Sequence, residues 1–536
     1  MDFIYKMSKH WWIVLVAIVV VFFSWLPQLL TLNPGISYGD EGLVASSAWR
    51  IFNGEVPFRD FFSSLPPGLY YWTAIFFKFL GPTFLSLRIS ALLTSLIILL
   101  CSVWVMERTK IRGSLPYMVV ISFLAYFGGP YWFVASHHWI SLAWCLISLG
   151  FFFCGRESTD RRWVMLAAGV FAALAACTMQ HKGVIWMFAA TFALFTLPTM
   201  QRKQSLLWFW GGVLAVSIPV VWWFVWKVGF SALFDQLIKF PLTQYHKLEG
   251  HQGVVFKELL RNFQNVFSAW GQQSSLLGWV KVLSWNLGYL GRIVVHLLPF
   301  AGILALISLW KKATLDRVLL GGLTAFYVSM YLSAIYRPSE TTLVFAAPAS
   351  ILAVAAFIDS LSHQGLKATG KALRNVFICG WLFIFAGTAA GFTLTEIYSP
   401  RVTTETLVGP IDSLYAKEAQ ELEGVTNFMK EHRQSGEPIF CYSYMPFFYF
   451  LLQAENPTPY DLLTYPMNTQ NQLDQAQLLI EQSECRWIIY DFAPLFENSL
   501  GKYFLKNYEM VKNFNNVAIL KRKTPFMAIP KKEEIH

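Results

Sequence analysis

Charge is what this sequence has least of: 14% of its 536 residues are Asp, Glu, Lys or Arg, against roughly 25% in a soluble domain. With 55% hydrophobic and 17% aromatic residues, much of the chain must face lipid. It has no Gly-rich loop of the phosphate-cradling kind, so a nucleotide is not expected at its site. It has no internal repeat of the kind common in transporters. Its seven cysteines show no metal-ligand spacing. Cys101, Cys145, Cys154, Cys177 and Cys379 lie in apolar runs, where a thiol is a small hydrophobe. Cys441 and Cys485 are expected at opposite ends of two neighbouring parallel strands. That is beyond the ~7 Å Cα limit for a disulfide, so both are expected as free thiols.

Apolar runs occur near 11–32, 84–106, 115–128, 138–155, 163–179, 184–198, 206–226, 286–309, 318–335, 341–358 and 375–395. A bilayer core of ~30 Å needs about twenty residues per helix, which predicts about eleven transmembrane helices. No A-x-A-like cleavage site follows Trp11–Leu32, so that run reads as an uncleaved signal-anchor. The net charge of +10 would suit nucleic acid, but its placement does not. Basic residues cluster at Glu107–Arg112, Arg156–Arg162, Arg202–Lys203, Lys311–Arg317 and Lys367–Arg374, alternating with junctions poor in Lys and Arg. The positive-inside rule then puts the N-terminus in the cytoplasm and the C-terminus outside, as in a multi-pass inner (plasma) membrane protein.

Two stretches of the first outer loop, 41–53 and 67–80, read as juxtamembrane helices, since Leu69–Leu80 is too short to span. A larger outer loop covers 227–285. Residues 1–395 therefore form the transmembrane part and 396–536 an extracytoplasmic α/β domain. In the latter, helices are expected near 416–433 and 471–482, with strands near 438–442, 486–491, 510–514 and 517–521. Strands alternating with helices suggest a small, partly parallel sheet. Asp461 and Asp491 read there as ordinary turn residues.

The first outer loop, SYGDEGLVASSAWRIFNGEVPFRDFFSSLPPGLYYW, is the stretch richest in chemistry-bearing residues. Asp40-Glu41 open a helix, where acids also serve simply as caps and dipole partners. Arg50, Arg59, Asp60 and a Pro-Pro-Gly turn follow, and Arg88 opens the next span. His137-His138-Trp139, His181-Lys182-Gly183 and Arg337 lie at other outer span ends. Lys182 fits either a functional cation at membrane depth or a snorkelling side chain. His138 fits either a ligand facing Asp60 or a hydrogen-bonded interfacial histidine.

The Asp-Glu pair, the run from Arg50 to Asp60, the P-P-G-x-Y-Y turn and Arg88 together resemble the C-type (GT-C) membrane glycosyltransferase superfamily. The likeness is to the branch holding protein O-mannosyltransferases and lipid A aminoarabinose transferases. Ser64-Leu65 stands where aminoarabinose transferases carry an acid–Lys pair, so the family's donor-phosphate lysine and metal site are not carried over; the large outer loop has no recognisable protein-mannosyltransferase repeats, so neither is the acceptor. The resemblance implies inverting transfer of a sugar from a polyprenyl-phosphate donor to an extracytoplasmic acceptor, whether protein, lipid or cell-envelope glycan. It implies Asp40 as base with Glu41 assisting. Asp60, Arg59, Arg88, His138, His181, Lys182 and Arg337 are the expected substrate-binding residues. Cations or a divalent metal must offset the charge growing on the leaving phosphate; the cofactor is left open. The alternative reading is a transporter or flippase of lipid-linked sugars. The ionisable residues, however, crowd the outer span ends rather than the midplane where transporter sites sit. The C-terminal part is expected to pack independently and handle the acceptor.

Overall fold

The computed structural model describes residues 38–523 except 110, 112–116, 118–119, 122–134, 158–159, 245–253, 269–275, 312–315, 336–338, 364–365, 399–401, 414–415, 464–467 and 492–497. The run 11–32 lies outside the described residues, as do Arg337 and most of 115–128.

The helices are α1 (Asp40–Phe52), α2 (Gly68–Leu80), α3 (Phe84–Arg108), α4 (His137–Glu157), α5 (Arg161–Thr178), α6 (Gln180–Leu194) and α7 (Thr199–Val228). Short α8 (Phe230–Phe234), a π-helical turn at Asp235–Lys239 and α9 (Phe240–Gln244) follow. Then come α10 (Val254–Ser268), α11 (Leu276–Trp310), α12 (Arg317–Ile335), α13 (Glu340–His363) and α14 (Lys367–Tyr398). Among the described residues, seven helical segments are long and apolar enough to cross a membrane, lying in α3, α4, α5, α7, α11, α12 and α13. The two stretches expected as short helices, 41–53 and 67–80, are helical as α1 and α2.

Inside the bundle the core is almost wholly hydrocarbon and aromatic, running from Ile98 on α3 through Leu146, Trp186 and Phe326 to Trp381. Some of its polar groups are satisfied locally. Ser148 Oγ donates to the Ala168 carbonyl at 2.7 Å and accepts from Trp186 Nε1 at 2.9 Å. This matters because an unpaired polar group has no water to turn to at membrane depth.

The C-terminal elements are a hairpin of β1 (Val402–Thr406) and β2 (Gly409–Ser413), α15 (Ala416–His432), β3 (Ile439–Tyr442), α16 (Phe447–Leu451) and α17 (Gln470–Gln482). β4 (Trp487–Asp491), α18 (Ser499–Asn507), β5 (Tyr508–Phe514) and β6 (Val517–Arg522) complete them. The sheet order is β3-β4-β6-β5, with β3 and β4 parallel and the other pairs antiparallel. The first four residues of β4 (Trp-Ile-Ile-Tyr) are all buried, as an inner strand covered on both faces requires. Cys441 pairs in register with Ile489, whereas Cys485 precedes Trp487, which pairs with Ile439; both thiols are free.

The expectation of an independently packed C-terminal unit is corrected. One continuous core holds Val44 and Ala45 of α1, Leu69, Tyr70 and Phe77 of α2 and Leu87 of α3. The same core holds Leu422, Phe447, Phe450 and Ile489 from the C-terminal part. The cause is the aromatic run of α16, which is buried on every side and cannot be covered by the sheet alone. Phe450 stacks on Phe77 at 5.2 Å, and Phe447 meets Phe84 edge-on at 6.1 Å.

Candidate active site at the juxtamembrane layer

Asp40 and Glu41 open α1, and neighbouring residues on a helix point about 100° apart. The structure separates them accordingly. Glu41 turns inward, is fully buried and pairs with Arg88 of α3. The Arg88 guanidinium also lies over the Phe84 ring, 4.6 Å from its centroid. Glu41 thus ties α1 to the first residues of a span. Asp40 stays exposed, and its Oδ1 accepts a hydrogen bond of 2.5 Å from the Tyr444 hydroxyl. Tyr444 belongs to the loop between β3 and α16. It reaches α1 because the helix start carries no side chains there. A Cβ on Gly39 would lie 1.7 Å from the Tyr444 ring, and one on Gly42 would lie 2.5 Å from the Phe447 backbone nitrogen. The Phe447 N–H donates to the Tyr38 carbonyl at 3.2 Å, closing the same contact.

Arg50, near the other end of α1, is a hub rather than a free cation. Its Nε meets Glu55 at 2.7 Å and its Nη1 meets Asp461 at 2.8 Å. Nη1 also donates to the Thr458 carbonyl, and Nη2 to the Asp60 carbonyl. These carboxylates hold the guanidinium more firmly protonated than usual, against the opposing effect of its burial. Burial pushes the Glu55 carboxyl up, a shift that Arg50 partly offsets. Asp461 is 3% exposed and is held by Asn456 Nδ2 at 3.0 Å as well as by Arg50. The reading of Asp461 as a plain turn residue is therefore corrected: it is half of a buried ion pair joining α1 to the C-terminal part.

Arg59 and Asp60 face each other as a two-pronged pair, at 2.8 and 2.7 Å. The Val56 N–H adds a third bond to Asp60 at 2.7 Å. The hydrogen bonds from Arg59 hold the Asp60 carboxyl below its ordinary range. Gln236, in the π-helical turn, braces this loop. It donates to the Phe58 carbonyl and accepts from the Ser63 N–H, both at 2.9 Å.

Lys182 and the histidines form a second group on α4 and α6. Lys182 is 2% exposed, and its Nζ donates to the His138 carbonyl at 3.2 Å. The His138 ring lies flat on Phe345 at 4.4 Å. The structure thus gives His138 and Asp60 separate partners. His137 is buried and meets the Tyr70 ring edge-on. His181 is hydrogen-bonded to the Ser333 backbone. Gln180 donates to the Ser64 carbonyl at 3.1 Å, so this helix start docks under the residues ahead of the paired prolines. Among the described residues, no three His, Cys, Asp or Glu side chains gather as a metal ion would need.

Sequence reasoning missed Tyr444, the Arg50–Asp461 pair and Gln236. Tyr444 stands 404 positions from Asp40, and no local pattern can mark such a partner. The one available signal was the glycine on each side of the Asp-Glu pair, which admits a neighbour at close range.

Comparison with protein-family models gives no match, nor does comparison with curated proteins. Solved structures do match over nearly the whole chain. ArnT from Cupriavidus metallidurans bound to undecaprenyl phosphate aligns at 14% identity with a TM-score of 0.58, covering 95% of this chain and 98% of that one. The apo state of that protein gives 12% identity and 0.59, covering 96% and 98%. The apo oligosaccharyltransferase of Archaeoglobus fulgidus gives 13% and 0.55, covering 90% of this chain and 70% of that one. The likeness read in the first outer loop thus extends to the architecture of the chain, whose fold is similar to that of these proteins.

Proposed function

We propose that this protein is an inverting glycosyltransferase moving a sugar from a polyprenyl-phosphate donor to an extracytoplasmic acceptor, with Asp40 as general base. The carrying observation is the split fate of the two adjacent acids. Glu41 is committed to Arg88, whereas Asp40 is exposed and oriented by one hydrogen bond from Tyr444. A carboxylate accepting one bond keeps other lone pairs to take a proton. In the reaction the acceptor hydroxyl attacks the anomeric carbon and its proton passes to Asp40. The bond from that carbon to the phosphate oxygen breaks, and the lipid phosphate leaves with the electron pair. A single displacement inverts the anomeric centre.

The charge left on the phosphate needs cationic partners. Lys182 suits that role. A buried ammonium with three donors is costly at membrane depth, and a phosphate would supply the acceptors that the His138 carbonyl alone does not. Arg337 is retained as a second candidate from sequence. The N-terminus is read as cytoplasmic and the C-terminal part as extracytoplasmic, dividing near residue 395, so that α1, α2 and the sheet form the outer layer. The donor chain stays in the bilayer and the acceptor arrives through that layer.

The test is a transfer assay with purified protein, polyprenyl-phosphate hexoses and extracted envelope acceptors, comparing wild type with Asp40→Asn. Sugar transfer that needs Asp40 is the expected result. Translocation of the lipid-linked sugar without transfer, unaffected by the substitution, would establish the flippase reading instead.

A further inference from the structure

A cleft of about 300 Å³ lies between the C-terminal end of α1 and the C-terminal part. Trp49, Asn53 and Glu55 line one side; Arg433, Glu437 and Glu455 are among the residues lining the other. Residue 49 is nine positions from Asp40, about 14 Å along the helix at 1.5 Å per residue. The cleft is therefore not the space around the proposed base.

We propose that this cleft is a second carbohydrate site, binding an uncharged sugar unit of the acceptor remote from the hydroxyl that reacts. The proposal deepens the transferase reading and rests on it for the identity of the ligand as acceptor; sugar binding itself can be measured without it. A sugar ring offers an apolar C–H face and neighbouring hydroxyls that each donate and accept. It is recognised by an aromatic plane together with planar groups carrying two polar atoms side by side. The cleft provides both. Trp49 is half-exposed, and its ring plane is fixed by stacking on Phe52 at 5.7 Å and 18°. Carboxylates, the Asn53 amide and the Arg433 guanidinium are the paired polar groups.

Arg433 is half-buried in the wall of the cleft beside Glu437. Gln453, which also lines the cleft, has φ 43° because it closes α16 in the left-handed conformation common after a helix C-terminus, with the Ala454 N–H donating to the Tyr449 carbonyl at 2.9 Å. The charge balance selects the ligand class. Arg50 is consumed by Glu55 and Asp461, which leaves Arg433 against Glu437 and Glu455. A phosphate would meet net repulsion there, so the cleft is unsuited to the donor's lipid phosphate. An acceptor reaching from this cleft to Asp40 must carry more than one sugar ring.

The experiment is saturation-transfer NMR on the full-length protein in detergent. The probes are methyl glycosides of glucose, galactose and mannose, together with N-acetylglucosamine and inorganic phosphate. At least one glycoside is expected to receive saturation from wild type and from Asp40→Asn alike. It should bind at least tenfold more weakly to Trp49→Ala and to Arg433→Gln. Phosphate should not compete. Each variant is checked for monodispersity and wild-type melting; should Trp49→Ala fail that check, Trp49→Leu replaces it. The proposal is overturned if no glycoside binds wild type, if binding survives both substitutions, or if phosphate displaces the sugar. Glycoside binding by a protein without transfer activity would sink the transferase reading and leave the site standing. Transfer activity without glycoside binding would do the reverse.

Discussion

The membrane bundle and the layer above it are held together in different ways. In the bundle, the core from Ile98 to Trp381 is continuous apolar packing, and polar groups such as Ser148 bond to nearby helices. In the layer built from α1, α2 and the C-terminal part, buried ions join pieces far apart in the chain: Glu41 with Arg88, and Arg50 with Asp461. A bundle in lipid gains little from burying further hydrocarbon and relies on fit. A layer exposed to water can use apolar burial for stability and charge pairs to fix orientation. The ionisable residues proposed for the outer site are placed where such fixing is possible.

The comparison is sharpened most strongly at Asp40. Asp40→Asn is expected to lose about 10²–10⁴-fold in kcat, the usual share of a general base. Melting should stay near wild type because the side chain is exposed; undiminished turnover would remove Asp40 from the chemistry. Next in size is Asp461→Ala. Leaving Arg50 buried without its main partner is expected to cost about 3–5 kcal/mol, seen as a lower melting temperature. Ser148→Ala in the bundle leaves the buried Trp186 N–H without its acceptor and should cost about 1–3 kcal/mol. If the two cost the same, the contrast between the regions is false. Tyr444→Phe removes one donor at an exposed carboxylate. It should lower kcat by up to about tenfold, the ~1.4 kcal/mol low end for bonds to charged groups, with KM for the donor unchanged. A loss confined to KM would show that Tyr444 serves binding rather than orientation.

The smallest effect concerns acidity. Because Arg59 depresses the Asp60 carboxyl, the pair's contribution to loop order is present above the ordinary carboxylate range. It disappears only as pH falls through the lowered folded value. Limited proteolysis of the 53–64 loop should therefore begin at lower pH in wild type than in Arg59→Gln. Identical onset would show that the pair does not order the loop.

Much of this was legible because local rules suffice for it. Long apolar runs, the two short helices α1 and α2 and the strand–helix alternation of the C-terminal part all follow from periodicity and length. The hairpin of β1 and β2, α16 and α18 were not legible. Hairpin strands such as Val-Thr-Thr-Glu-Thr carry little apolar signal, and Phe447–Leu451 is apolar all round, so it shows no period. At the site, the Asp-Glu motif located the acids but not their division of labour. That division depends on Arg88 and Tyr444, one on the next span and one near the other end of the chain. Asp461 looked like a turn residue because its partner is 411 residues away.

The contact between Asp40 and Tyr444 also has a bearing on biogenesis. One partner is among the first residues made after the leading apolar run; the other emerges some four hundred residues later. The pair therefore forms only after the stretch around residue 444 has been synthesised and folded back onto α1. A nascent chain that has made only α1 would carry Asp40 without the hydroxyl that orients it. On the proposed function, such copies would be slower than finished ones by the factor expected of Tyr444→Phe.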